Sequence, residues 1–472
     1  MKIKFWVLIC TFAVAIFFMV SCGAQPAPNN AAVVTPQTQA AADEAPAPQP
    51  VADTAQEAAT NPTESETTPA EEAAEEITLR VMDNWGGQTD SKGPPLQAAF
   101  DDVMATYPNI TVQEEVFGDH EIPVKVSTMY LAGDEPDIVL QNMHQSALEW
   151  LDDGVAVDVK GLAQEWGLYD QLKPEAIAEW TDAQGRLRAF PLEGYTWPVW
   201  YNTKILQEVG VEGIPQTTDE LLDAAKKVRA AGYQPYATGG SDWTGQFDLF
   251  QILTTMLTDD EIRDLYSHGG WSANPNAVAG IELFVKLRDE GLFVDDVEGM
   301  TSATLNEMFF AEKAAFMHGG AWFFSELPEA VRDHVVLGGF PLPPNSVRKK
   351  PVIYASFEGK GLWITRNGAQ KADAVEKFVK LFYQPKTMAR FVEQAGMTSP
   401  LINTPVDDSK LNSLFVQTMQ FGDKVEVALM HKIYVPAEID ENLRRVANEA
   451  FVPGTSAETI IANLDAVYED MQ

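Results

Sequence analysis

The chain has 472 residues and a formal net charge of −36, from 69 acidic and 33 basic side chains. So acidic a chain argues against nucleic acid as a partner and against polybasic docking on anionic lipid. Two cysteines are too few for a disulfide framework, and the six histidines (His120, His144, His268, His318, His334, His431) share no ligand spacing, so neither a metal nor a cofactor is expected.

Lys2 and Lys4 open the chain, and Phe5 to Val20 is an uncharged apolar run, shorter than the roughly 20 residues of a membrane span. A small residue before a cysteine, in Met19-Val20-Ser21-Cys22, completes the pattern of an export leader. Its end resembles a lipobox, which predicts cleavage after residue 21 and acylation of Cys22. Cys10 would leave with the leader, so the mature chain would hold no free thiol, which excludes a cysteine nucleophile. Residues 22–76 are rich in Ala, Pro, Thr and Glu, with no Lys or Arg after the leader. Such a segment cannot bury enough surface to offset its ordering entropy and is expected to be a disordered acidic tether. A flexible chain of this length spans about 40 Å at roughly 5–6 Å × √n.

Residues 77–472 are long enough for two domains and still carry −28, since ten acids and two lysines precede them. Strand-like and helix-like segments alternate, which predicts an α/β fold. Ile77 to Met82 reads as a first strand running into the turn Asp83-Asn84-Trp85-Gly86-Gly87. Leu96 to Tyr107 has helical spacing, Ile110 to Val116 reads as a strand, Ile122 to Ala132 as a helix closed by Gly133, and Asp137 to Leu140 as a short buried strand. Thr217-Thr218-Asp219-Glu220 is a capping box for a helix that Gly232 ends. Ala279 to Glu290 is a further helix, and helical patterns at Ala372 to Phe382, Val446 to Phe451 and Ala457 to Tyr468 dominate the last third.

Several stretches, in order, resemble the family 1 extracellular solute-binding proteins of ABC importers. They are Phe100 through Tyr107-Pro108-Asn109-Ile110, Leu131-Ala132-Gly133 with Pro136-Asp137-Ile138, Phe190-Pro191 with Tyr201-Asn202, Ile214-Pro215 with Glu220-Leu221, Met308 to Met317 with Gly320 and Trp322, and Gly396 with Pro400. Glu312 departs from the pattern, replacing the usual Gly. The resemblance implies a two-lobe, periplasmic-binding-protein-like α/β fold with interleaved lobes and a ligand cleft at the hinge. The first lobe would hold 77–192 and 312–342, the second 193–311 and 343–472. It also implies a monomer that holds a small molecule, mostly a sugar in this family, and hands it to the permease subunits of an importer. The only membrane attachment expected is the lipid on Cys22.

Sugar recognition asks for flat aromatic faces and for carboxylates or amides that bond hydroxyls. Trp85 follows the first strand, where open α/β sheets place ligands. Trp243, with its neighbour Asp242, lies in a turn-rich loop, and Trp322 follows Gly319-Gly320. Asn142 follows the strand at 137–140, Glu193 precedes the first crossing, and Glu358 lies near a return crossing. Trp85, Asn142, Glu193, Asp242, Trp243, Trp322 and Glu358 are therefore the candidate ligand residues. Trp150, Trp166, Trp180, Trp197, Trp200 and Trp363 read as structural, as does Asp137. Few basic residues fall near this cleft, which favours a neutral carbohydrate over a phosphate, although a polyol or a glycerol phosphate diester fits the resemblance too. A lipid-anchored carbohydrate-active hydrolase is the alternative from another class. Retaining glycosidases need two carboxyls about 5–5.5 Å apart, and no catalytic motif supports such a pair here. No catalytic residue is assigned.

Overall fold

The computed structural model describes residues 75–87 and 91–469. The expected leader, Cys22 and the expected tether up to residue 74 lie outside the described residues.

Among the described residues, ten strands form two sheets. The first sheet contains β1 (Ile77–Asp83), β2 (Ile110–Val116), β3 (Ile138–Gln141), β4 (Phe190–Trp197), β9 (Val352–Ile364) and β10 (Glu426–Ala428). Its order is β10-β9-β3-β1-β2, with β4 also paired to β9. The second sheet, in the order β6-β7-β5-β8, contains β5 (Val199–Asn202), β6 (Gln234–Ala237), β7 (Ala314–His318) and β8 (Val335–Gly338).

β1, β2 and β3 run parallel, and a helix connects each to the next, as parallel pairing requires. The helix Gly93–Thr106 buries Leu96, Ala99, Phe100 and Val103, one apolar stripe at helical spacing. The helix Ile122–Ala132 stops at Gly133, whose φ of 71° is left-handed and costs glycine little. The capping box is present in full: Thr217 accepts from the Glu220 amide, while the Glu220 carboxylate accepts from the Thr217 amide. The helix it starts, Thr218–Ala230, turns Leu221, Leu222, Ala225 and Val228 inward.

Two hydrophobic cores result, one per lobe. The first gathers residues from 79–192 and 362–401, the second from 197–354 and 392–468. The partition expected from the sequence is corrected accordingly. β7 and β8 flank β5, so 312–342 belongs to the second lobe, where Phe316, Met317 and Leu337 are buried. The helices Ala372–Phe382 and Pro385–Ala395 bring Phe378, Phe382 and Phe391 to the first core instead of the second. The reason is β9. Its first residues pair with β10 beside the second core, its last residues pair with β3 in the first, and the chain that follows packs where the strand delivers it. The chain thus crosses between the cores in β4, again in β9, and a third time after Leu401.

Glu312, the departure from the family pattern, sits at φ 52°, a left-handed conformation that disfavours a side chain. Its carboxylate offsets that cost by accepting from Lys204 Nζ at 2.6 Å and engaging His334 Nδ1 at 2.9 Å, and these partners hold it below the usual range against its partial burial.

The crossing is braced by Glu179 on the helix Pro174–Trp180, which accepts from Ser356 Oγ and the Phe357 amide of β9, both at 2.6 Å. Burial outweighs these donors and pushes the carboxyl up to about 7. From an unfolded value near 4.5 up to 7, the unfolded chain loses a proton that the folded chain keeps. The resulting stability is present at acid pH and is lost as the pH rises through 7. Melting temperatures of Glu179→Gln and wild type, compared at pH 5 and pH 8, are expected to shift in favour of the variant at pH 8; a constant difference would contradict the assignment. Thr217→Ala is expected to cost about 1 kcal/mol in chemical denaturation, the usual loss for an N-cap.

Candidate functional site

The turns at the C-terminal ends of β1, β2 and β3 converge with the middle of β4 and β9 on a cavity of about 300 Å³. From the first-lobe side come Trp85, Lys92, Asp119, His120 and Asn142, and from the crossing strands Glu193, Tyr195, Trp197, Glu358 and Lys360. The second lobe adds Trp243, Phe247, Trp322 and Lys432. Hydrogen bonds join the lobes across the cleft, among them Ser325 Oγ with Ser91 Oγ at 3.0 Å and Gln145 Nε2 to the Lys432 carbonyl at 2.8 Å.

One wall is aromatic. Trp197 packs against Phe247, Trp322 and Trp243, with ring centroids 4.5, 5.1 and 5.6 Å apart, and Tyr195 meets Trp322 edge-on at 5.3 Å. Trp243 starts the helix Trp243–Thr254, and its neighbour Phe247 lies one turn on. Trp322 folds back over Gly320, where any Cβ would lie about 2.2 Å from its ring. Trp85 closes the opposite edge. The Asp83 carboxylate holds its turn by accepting from the Trp85 and Gly86 amides at 2.7 and 2.6 Å.

The facing wall is charged. Lys92 pairs with Glu193 at 2.7 Å and lies 5.0 Å over the Trp85 ring. Lys360 pairs with Asp119, whose second oxygen accepts from Asn142 Nδ2 at 3.1 Å. Burial alone would raise the Asp119 carboxyl, but the Lys360 ammonium outweighs it and holds Asp119 below the usual range. Glu358 is buried; its Oε1 accepts from the Tyr195 hydroxyl at 2.7 Å, and burial raises its carboxyl against the pull of Lys432 and Tyr195. At the rim, burial and the charge of Lys432 press His144 down to about 4, so its ring is neutral beside His120. The buried polar atoms Trp197 Nε1, Asn142 Oδ1 and Glu358 Oε2 of lining residues have no hydrogen-bond partner among the described residues.

Of the candidates named from sequence, Trp85, Asn142, Glu193, Trp243, Trp322 and Glu358 all line this cavity. Trp85 is nonetheless only 2% exposed and part of the first core, so it is wall and core at once. Asp242 does not line it. Its carboxylate accepts from the Thr244 amide and hydroxyl and from the Ser302 amide, which makes it the cap of the helix it precedes. Trp197, read as structural, is both buried and lining. Sequence reasoning missed Tyr195 and Trp197 although strand alternation points to them: they follow Glu193 at steps of two on β4, as Lys360 follows Glu358 on β9. Lys92, Asp119, His120 and Lys432 carried no local signal. The expectation of few basic residues is overturned, since three lysines line the cavity.

The model of one protein family, the bacterial extracellular solute-binding proteins, matches residues 86–389. Among solved structures, a "probable secreted solute-binding lipoprotein" from Streptomyces coelicolor is 36% identical, with a TM-score of 0.75 over 83% of this chain and 98% of that one. A chitin oligosaccharide binding protein (18% identity, TM-score 0.72, 84% of this chain and 98% of that one) and a maltose-bound protein of T. maritima (18%, 0.67, 84% and 100%) share the two-lobe fold. The matched motifs, the two lobes and the cleft between them agree, and the chain belongs to the bacterial extracellular solute-binding proteins, the substrate-binding components of ABC-type transport that act outside the cytoplasm.

Proposed function

We propose that this protein captures a small carbohydrate between its lobes and delivers it to the membrane subunits of an importer. One observation carries the reading: aromatic faces stand beside buried polar atoms of both kinds, the donor Trp197 Nε1, the acceptor Asn142 Oδ1 and the Glu358 carboxyl. A sugar ring offers a C–H face to the former and hydroxyls, donor and acceptor in one group, to the latter. Trp243 and Trp322 serve as platforms, Trp85 closes the far edge, and Asn142, Glu193 and Glu358 bond hydroxyls. A cavity of about 300 Å³ suits one or two sugar units better than a long chain. The sugars bound by the chitin oligosaccharide and maltose-bound neighbours fit the same class.

Capture and delivery need no chemistry, only a ligand that contacts both lobes and so favours the closed arrangement. Acylation of Cys22 would keep the lobes near the importer, with residues 23–76 as the tether.

Thermal-shift screening of the full chain against mono- and oligosaccharides tests the reading, because a ligand of the native state raises the melting temperature by mass action. A shift with intact sugar recovered afterwards is expected; hydrolysed sugar would point to an enzyme. Trp243→Ala and Trp322→Ala are each expected to weaken binding about tenfold or more, as truncation of an aromatic anchor in a binding site does, while leaving the unliganded protein folded. Normal binding by both variants would remove the aromatic wall from the site. Metabolic labelling with a fatty acid is expected to mark the wild-type chain and not Cys22→Ser; label retained in the variant would rule out that anchor.

A further inference from the structure

The cavity holds three ammonium groups, and they are not equivalent. Lys92 is neutralised in contact with Glu193, and Lys360 in contact with Asp119. Lys432, half-buried between the lobes, has no carboxylate within ion-pair distance among the described residues. The acids that sense its charge are Asp119, Glu358 and Asp440, and the histidines are His144 and His431. Among the described residues none of these acids lies within ion-pair distance of its ammonium. Asp119 gives one oxygen to Lys360 and the other to Asn142. Burial disfavours the charged form of both Glu358 and Asp440, and it keeps both histidines neutral. Two of the three lysines of the wall thus have a carboxylate at contact distance, and Lys432 has none among the described residues.

An ammonium partly withdrawn from water is stabilised by an opposite charge at contact distance. Lys432 is also well placed to be met by a ligand. Its carbonyl is pinned by Gln145 of the first lobe, and the adjacent His431 is packed among Phe247, Phe250, Tyr266 and Tyr354 of the second. The backbone that carries the ammonium is therefore held from both sides of the cleft.

We propose that the ligand is an acidic carbohydrate, a sugar unit bearing one carboxylate, with Lys432 as the counter-cation of that carboxylate. The inference rests on the carbohydrate reading above and narrows its substrate class. Lys92 and Lys360, already paired, orient Glu193 and Asp119 toward hydroxyls, and Lys432 sets the preference for charge.

The test is a calorimetric titration of the full chain with matched sets of sugars: a neutral hexose or its disaccharide, the corresponding uronate, and the corresponding 2-amino sugar. The uronate is expected to bind about tenfold tighter or more than its neutral counterpart, as a charge-assisted contact in a partly buried site does. That preference is expected to vanish in Lys432→Met and to persist in Lys432→Arg, with the melting temperature of each unliganded variant confirming that it folds. Equal or tighter binding of the neutral or amino member, or a uronate preference that survives Lys432→Met, would overturn the inference and leave the carbohydrate reading standing. Binding of no member of any set, with a shift from a polyol or a glycerol phosphate diester instead, would overturn both.

Discussion

β4 and β9 lie antiparallel from Phe190 opposite Leu362 to Trp197 opposite Tyr354, and the two lobes and the cleft between them depend on that pairing. One end of the pair is buried in the first core and the other in the second, so the two strands serve both lobes. A strand with both ends committed to different cores leaves its middle to face whatever lies between them. There the register slips twice, between Pro191 and Glu193 and between Glu193 and Tyr195. Irregularities of this kind re-aim side chains and absorb changes of backbone angle, which suits both a ligand wall and a hinge. Glu179 ties the same stretch of β9 to the first-lobe helix behind it.

The charged wall follows from the same geometry. Glu193 and Lys360 face each other on adjacent strands, yet each finds its close partner elsewhere, Glu193 in Lys92 and Lys360 in Asp119. Each ion pair therefore joins a crossing strand to a turn of the first lobe. A partly buried pair adds little net stability, because desolvation offsets most of the attraction. Its value in a cleft is orientation: carboxylate oxygens held by lysine on one side present their remaining lone pairs on the other. The aromatic wall has a different origin. Trp197 and Phe247 belong to the second core, and Tyr195, Trp243 and Trp322 pack against it, so the platform is backed by that core.

Local chemistry was legible wherever it was local. The capping box at Thr217, the stop at Gly133, the strands at 77–83, 110–116 and 138–141, and the helix at 372–382 depend on residues within a few positions of one another. Glu312 shows the limit of a motif. Its departure from the usual glycine was visible, but the left-handed φ it must adopt and the partners that offset it, Lys204 and His334, come from elsewhere in the chain. Asp242 shows the converse, because the loop chemistry that made it a ligand candidate is equally that of a helix cap. Its proximity to Ser302, sixty residues on, decided for the cap.

By itself the sequence determined the two-lobe α/β class, the family and six residues of the cleft wall, because turn residues after strands and tryptophans in polar loops are signals written over short spans. It could not determine which lobe owns 312–342 or 372–401, since that depends on where β9 ends, and strand pairing over such separations leaves no local mark. Nor could it show that Lys92, Lys360 and Lys432 meet in one cavity from positions 340 residues apart. Charge at the site is a sum over residues brought together by folding, and only the tertiary structure performs that sum.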